Sequence, residues 1–314
     1  MGTRRRRAHG GRLRRDRRAG AAPARDRGDG GAPRVAPRPA PPARRVTTLF
    51  ALGSGSRGNA FGLATDDAAL LVDAGFSARE LARRADACGF PLARVTAIVL
   101  THEHGDHSAG VARLARELGT PVFTNPRTWA ALGDEVPAHC LAPLEAGQAA
   151  TVGPFTIRAA PTSHDAVAPM AVLVEADGGA RVGFAYDLGR PTVAVRALLR
   201  AATAVVLEAN HDELLLRTSG YPPSVQDRIA GAGGHLSNRA AAELLRELAH
   251  PALAAVVLAH LSERCNSEAA ARKTIEPALR RARFRGTLHV ARQEAPLAPI
   301  SCRPRAGAQL ALRL

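Results

Sequence analysis

The sequence predicts a layered α/β fold. Short buried strands alternate with amphipathic helices, several strands follow one another mid-chain, and turns rich in His and Asp come directly after apolar strands. Residues 47–52 lean apolar and read as a first strand, broken by Gly53-Ser54-Gly55-Ser56-Arg57-Gly58-Asn59. Residues 69–72 read as a buried strand ending at Asp73. Ser77 and Glu80 have the spacing of a capping box, with the Ser accepting from the third helical amide and the Glu reaching back to the cap amide. The helix they open carries Leu81, Ala85 and Cys88 on one face. Residues 98–100 form another buried strand. Val111, Leu114, Ala115 and Leu118 then fall at helical spacing, and Gly119 closes that helix. Further strands are expected at 155–159, 170–175, 181–186, 203–208 and 254–259, and helices at 191–200, 237–249 and 266–281.

The chain has 314 residues, of which 46% are apolar, enough for a substantial core. Its four cysteines, Cys88, Cys140, Cys265 and Cys302, form no CxxC pair, which argues against a disulfide scaffold or a cysteine-based zinc module. No apolar run reaches the roughly 18 residues a membrane span needs, and no signal-peptide core follows the basic start. The expected compartment is the cytoplasm, with no membrane partner. The net charge of +15 is unevenly placed. Residues 1–46 hold 15 arginines against three aspartates, a net of +12, and the remainder has 28 basic and 25 acidic residues, a net of +3. The charge therefore describes a tail rich in Arg, Pro and Gly, expected to be disordered, and says little about an active site. Three readings of this tail stay open: a basic arm for polyanions, a passive tail, or a start assigned upstream of a true first residue at Val35 or Val46.

The chemistry concentrates in Thr101-His102-Glu103-His104-Gly105-Asp106-His107, directly after the strand at 98–100. On an extended turn His102 and His104 project to one side and can grip one metal. Asp106 and His107 come where the chain bends into a helix and can face a second metal. Three more candidates stand at strand ends: His164 after 155–159, Asp187 after 181–186 and His260 after 254–259. All can converge on one rim of a sheet sandwich. Asp187 is the natural bridging carboxylate, because one anion can hold two cations a few ångströms apart. The Gly53–Asn59 loop, with Ser54, Ser56 and Asn59, can cradle phosphate through backbone N–H groups, and a plain tight turn accounts for it equally well.

This ordered set, His102/His104/Asp106/His107 followed by His164, Asp187 and His260, resembles the metallo-β-lactamase superfamily. The segments 53–59, 71–75, 207–212, 234–238 and 260–266 are similar to its YycJ/WalJ-type branch. The resemblance covers about residues 47–285. It implies a four-layer αββα sandwich in a hydrolase domain at 47–300, preceded by the tail at 1–46 and followed by a short tail at 301–314. It also implies a dinuclear phosphodiesterase, an exonuclease acting on DNA, with Zn²⁺ or Mn²⁺ as the two divalent ions. His102, His104 and His164 would hold the first ion and Asp106, His107 and His260 the second, with Asp187 between them. Asp73 matches an aspartate that braces the ligand loop without binding metal. Glu208 and His235 resemble a proton-transfer pair in related tRNA 3′-end nucleases, and with Asp106 they make up the expected catalytic groups.

Other functions compete on this fold. A glyoxalase-type thioesterase would use the same two ions on a small substrate, but Thr162-Ser163-His164-Asp165-Ala166 lacks the Gly-His-Thr pattern of that family. A tRNA-processing endoribonuclease is closer in motif. Yet only 22 residues separate His164 from Asp187, too few for a long tRNA-clamping arm. The 72 residues between Asp187 and His260 leave no room for an added nuclease domain. His211 and Asp212 receive no role from the sequence.

Overall fold

The computed structural model describes residues 46–303. The tail expected at 1–46 lies outside the described residues except for Val46, as do residues 304–314.

The period-two alternation of the strands produces the layers. β1 (Thr48–Gly53), β2 (Ala60–Ala64), β3 (Ala69–Val72), β4 (Val95–Val99), β5 (Val122–Thr124) and β6 (Leu141–Pro143) lie side by side in chain order. β7 (Ala149–Val152), β8 (Phe155–Pro161), β9 (Met170–Ala176), β10 (Ala180–Ala185), β11 (Ala204–Glu208), β12 (Ala255–Ala259) and β13 (Thr287–Val290) build a second sheet, again in chain order. β14 (Ile300–Ser301) returns to pair with β1, matching Thr48 with Ser301. The domain boundary expected at 300 therefore falls inside a strand. Leu49, Ala51, Leu70 and Val72 point from the first sheet into a core shared with Val182, Phe184, Val206 and Val257 of the second. The alternate residues point outward: Phe50, Leu52 and Leu71 on one side, Val205, Leu207 and Val256 on the other.

Helices cover both outer faces, completing the αββα sandwich. α1 (Ala78–Cys88), α2 (Gly105–Ser108), α3 (Val111–Leu118) and α4 (Pro126–Leu132) follow strands of the first sheet. Leu81, Ala85, Val111 and Leu114 pack beneath it. α5 (Val193–Leu199), α6 (Glu213–Arg217), α7 (Pro223–Ala230), α8 (Asn238–Leu248) and α9 (Glu268–Arg281) follow strands of the second. Val195, Leu244, Leu245 and Ile275 pack there. α6 and α7 contribute no residue to this apolar cluster.

The long elements lie within a few residues of expectation, and Gly119 caps α3 in the left-handed conformation. Ser77 caps α1 by accepting from the Glu80 amide. Glu80 does not reach back to the cap: its carboxylate takes hydrogen bonds from Arg83 and Arg84, and chiefly through Arg83 its pKa falls to about 2. The strand expected at 98–100 begins earlier, at Val95, and ends at Val99.

Candidate active site

The site lies where strands that point the same way end. β3 and β4 are parallel neighbours in one sheet, and β10, β11 and β12 are parallel neighbours in the other. β8 runs with β10 because each is antiparallel to β9 between them. Asp73, His102, His164, Asp187, Glu208 and His260 come at or just after these C-terminal ends. Asp73, Asp187 and His260 turn the chain with φ of +56°, +53° and +53°. Such backbone costs about 1–3 kcal/mol per residue and collects at functional sites, Asp and His being among the side chains that tolerate it better. Gly75 belongs to the same turn: a Cβ there would sit 1.7 Å from the Asp106 carbonyl oxygen, so only glycine lets the two loops touch.

The structure brings together the residues expected as ligands. One donor atom each from His102, His104 and His164 lies within 4.8 Å of the others, as do those of Asp106, His107 and His260 and those of His102, His107 and Asp187. His104 Nδ1 is 3.3 Å from His164 Nε2. His260 Nε2 is 3.2 Å from Asp106 Oδ2 and 3.3 Å from Asp187 Oδ1. Asp187 lies between the groups, its Oδ2 3.9 Å from His102 Nε2 and its Oδ1 3.9 Å from His164 Nε2.

Hydrogen bonds on the far side of each ring set which nitrogen faces the centre. Buried Asp73 accepts at Oδ2 from His107 Nδ1, Thr101 Oγ1 and Tyr186 Oη, each at 2.8 Å, and at Oδ1 from the Thr101 amide. A proton is therefore held on His107 Nδ1, and Nε2 is the nitrogen that faces the centre, 2.7 Å from Asp187 Oδ2 and 3.3 Å from Asp106 Oδ2. His164 donates from Nδ1 to the Gly234 carbonyl, and His102 directs Nδ1 to Thr101 Oγ1. Asn210 Nδ2 donates to the His260 carbonyl at 2.9 Å and lies 3.2 Å from His260 Nδ1.

Of the phosphate-loop candidates only Ser56 lines the cleft. Ser54 and Asn59 are buried and already engaged. Ser54 Oγ donates to Asn59 Oδ1 and accepts from the His260 amide, and Asn59 Nδ2 reaches Asp106 and His107. Their side chains brace the ligand loops from behind and do not open on the cleft.

The donor set fits divalent ions. His102 Nε2 is buried and makes no hydrogen bond, and buried Asp187 Oδ2 meets only the ring nitrogens of His107 and His102, at 2.7 and 3.9 Å. Leaving such atoms unpaired costs roughly 1–3 kcal/mol each, and lone pairs aimed at one another call for a cation. Imidazole nitrogens with carboxylate oxygens suit zinc-like ions. Burial, then the neighbouring His107, pushes His102 well below the ordinary histidine pKa. Burial also opposes charge on His107, but Asp187 and Asp73 outweigh it and raise its pKa strongly. Burial would raise the Asp187 pKa, yet His260 and His107 pull it well down.

Beside this centre Glu208 Oε1 takes a 2.7 Å hydrogen bond from His235 Nδ1. Its Oε2 accepts from the Leu188 and Leu236 amides, so both carboxylate oxygens are occupied. Burial disfavours charge on His235, but Glu208 overcomes it and holds the pKa well above the ordinary value. His235 borders a cleft of about 360 Å³ together with Asp106, His164, Tyr221, Val225, Arg228 and Ile229. His211 is buried without a partner for Nδ1, and Asp212 caps α6. The sequence reading missed Tyr186, Thr101 and Asn210. The first two are signalled by lying next to ligands at strand ends, the third only by tertiary contact.

Residues 69–261 match the family model described as the beta-lactamase superfamily domain. Exodeoxyribonuclease YycJ of Bacillus anthracis is 32% identical over 231 residues, 73% of this chain and 87% of that protein. Exodeoxyribonuclease WalJ of Streptococcus pneumoniae serotype 2 is 33% identical over 229 residues, 71% of this chain and 85% of that one. The metallo-β-lactamase fold protein YhfI of Bacillus subtilis superimposes with a TM-score of 0.61 at 19% identity, covering 80% of this chain and 99% of that one. No helix among the described residues is long and apolar enough to cross a membrane. With the sandwich, the strand-end His/Asp cluster and these similarities together, the chain belongs to the metallo-β-lactamase superfamily, in the branch of YycJ and WalJ, and is a metal-dependent hydrolase.

Proposed function

We propose that this chain is a dinuclear phosphodiesterase that removes nucleotides from DNA, an exonuclease. The observation that carries the reading is the two donor groups, His102/His104/His164 and Asp106/His107/His260, with Asp187 3.9 Å from His164 and 3.3 Å from His260 and the Glu208–His235 pair beside them. The names of the relatives, both exodeoxyribonucleases, support DNA as substrate. His102, His104 and His164 would hold one ion, Asp106, His107 and His260 the other, and Asp187 would stand between them. Bound there, two divalent ions, Zn²⁺ in the first instance, supply Lewis acidity toward a phosphoryl oxygen and acidify water. The residues do the rest. Asp73 keeps His107 in the tautomer that offers Nε2 to the centre. Glu208 holds His235 by Nδ1 and keeps it protonated, so the remaining ring nitrogen can deliver a proton to the leaving oxygen. Ser56 is the loop residue positioned to meet substrate. The catalytic domain proposed is 47–300 with β14 appended, and four unpaired cysteines suit a reducing compartment such as the cytoplasm.

The test is a panel of labelled double-stranded DNA, single-stranded DNA and RNA, with a glutathione thioester and a β-lactam alongside, each with Zn²⁺, Mn²⁺ or chelator. Stepwise shortening of DNA that chelator abolishes is the expected result. Efficient thioester hydrolysis with inert nucleic acid would replace this reading by the glyoxalase-type one. Cleavage of RNA alone would replace it by the endoribonuclease reading.

A further inference from the structure

The cleft has two unlike walls. One is the cluster of His and Asp side chains. The other is Tyr221, Val225 and Ile229, spaced four residues apart along the entry to α7 and its first two turns. These three side chains are half-buried, and none joins the hydrophobic clusters that hold the sheets and helices together. No residue of α7 is buried. An apolar helix face that packs against no core, and instead borders a polar reaction centre, is placed to meet a ligand.

This wall is held rigidly. Gly220 turns the chain with φ +73° immediately before Tyr221. Gln226 Nε2 donates to the Tyr221 carbonyl at 2.8 Å. The Arg264 guanidinium lies 4.4 Å from the Tyr221 ring centroid while its Nε donates to the Ser219 carbonyl at 2.9 Å. At the other end of α7 the His235 amide donates to the Ile229 carbonyl at 2.8 Å, tying the wall to the Glu208–His235 pair. Arg228 lies on the cleft edge with its side chain 71% exposed, making a 3.5 Å contact with Asp165.

Resting on the nuclease reading above, we infer that Tyr221, Val225 and Ile229 seat one unstacked nucleobase, that of the nucleotide next to the scissile phosphodiester. The chain therefore takes single-stranded or frayed ends and senses that a base is present more than which base it is. Three features select this occupant. A cleft of about 360 Å³ is at the small end of ligand pockets and has room for one nucleotide rather than several. An aromatic ring backed by a guanidinium is a stacking platform that accepts any base, since every base has a π-face. Arg228 and Arg264 supply positive charge beside the wall for the phosphates on either side. A base still paired and stacked in a duplex cannot lie on this wall.

The test compares matched single-stranded DNA oligonucleotides whose last residue is thymidine or an abasic tetrahydrofuran analogue, with each terminus modified in turn, on the metal-loaded full chain. Loss of the base at the recognised end is expected to lower kcat/KM roughly 5- to 100-fold, mostly through KM. Tyr221→Ala should erase that discrimination and Tyr221→Phe should keep it. Ile229→Ala, which leaves the loop at 218–221 untouched, should reduce it. Equal rates for the two oligonucleotides in the unmodified protein, or discrimination that survives Tyr221→Ala, would overturn the base seat and leave the phosphodiesterase reading intact. If neither oligonucleotide is cleaved while bis(p-nitrophenyl) phosphate is, both the seat and the nuclease reading fall.

Discussion

Asp73→Asn is expected to leave the fold standing and to weaken metal binding about 10- to 100-fold. The native carboxylate accepts four hydrogen bonds, three of them at Oδ2 from Thr101 Oγ1, Tyr186 Oη and His107 Nδ1. Asparagine fills the same space and tolerates φ +56°. An amide NH₂ at the Oδ2 position now donates where three groups donated before. The two hydroxyls can rotate and accept. His107 can accept at Nδ1 only by moving its proton to Nε2, the nitrogen that faces Asp187 Oδ2 and Asp106 Oδ2. A donor replaces a lone pair at the centre, and the affinity loss corresponds to about 1.4–2.8 kcal/mol. Stability of the chelated protein should fall by only about 1–3 kcal/mol. Asp73→Ala is the contrast: it strips every partner at a left-handed position, and about 3–5 kcal/mol of stability should go with it. Competition with a chromophoric Zn²⁺ chelator measures the affinity, and melting in chelator measures the fold. Wild-type Zn²⁺ affinity in a folded Asp73→Asn protein would refute the tautomer reasoning.

Four further outcomes are expected. Elemental analysis should find about two divalent ions per chain and a clear loss in the double change His102→Ala/His104→Ala; a metal-free protein with full activity would remove the basis of the mechanism. Glu208→Ala, His235→Ala and the pair should be similarly slow with unchanged metal content, because coupled groups are non-additive; additive losses would separate them. All four thiols are buried, and burial pushes Cys302 up to about 12, so Ellman's reagent at pH 8 should find no fast-reacting thiol until denaturant exposes four. Arg84 is buried, donates to the Leu52 and Gln293 carbonyls and lies over the Phe76 ring, so Arg84→Ala should cost about 2–4 kcal/mol, read from urea unfolding.

Much of this molecule is legible along the chain because its signals are local. Residues 48–53 and 69–72 are apolar almost throughout, which marks strands buried on both faces, while which side chains meet the other sheet and which meet the helices was decided by packing. The seven expected ligands stand out because each follows a strand that the pattern already marks. Short elements escaped: β5 has three residues and β14 two, too few for a period to declare itself. α4 and α7 did carry signals, Asn125 before Pro126 and Pro222 before Pro223, which are turn chemistry rather than periodicity. Which residues line the cleft was decided by tertiary structure alone. Ser54 and Asn59 look like loop residues free to bind phosphate, yet the chain from 259 to 260 and the turn at 106–107 close over them. Tyr221, Val225 and Ile229 look like one more apolar helix face, and only the absence of any core against them shows that they line a cleft. The sequence determined the donors and the strands that end beneath them, because both depend on neighbours a few residues away. The pairing of His107 with Asp73 joins residues 34 apart through neighbouring strands of one sheet, that of His235 with Glu208 joins residues 27 apart, and Asp187 and His260 meet His107 and Asp106 only because the two sheets pack together.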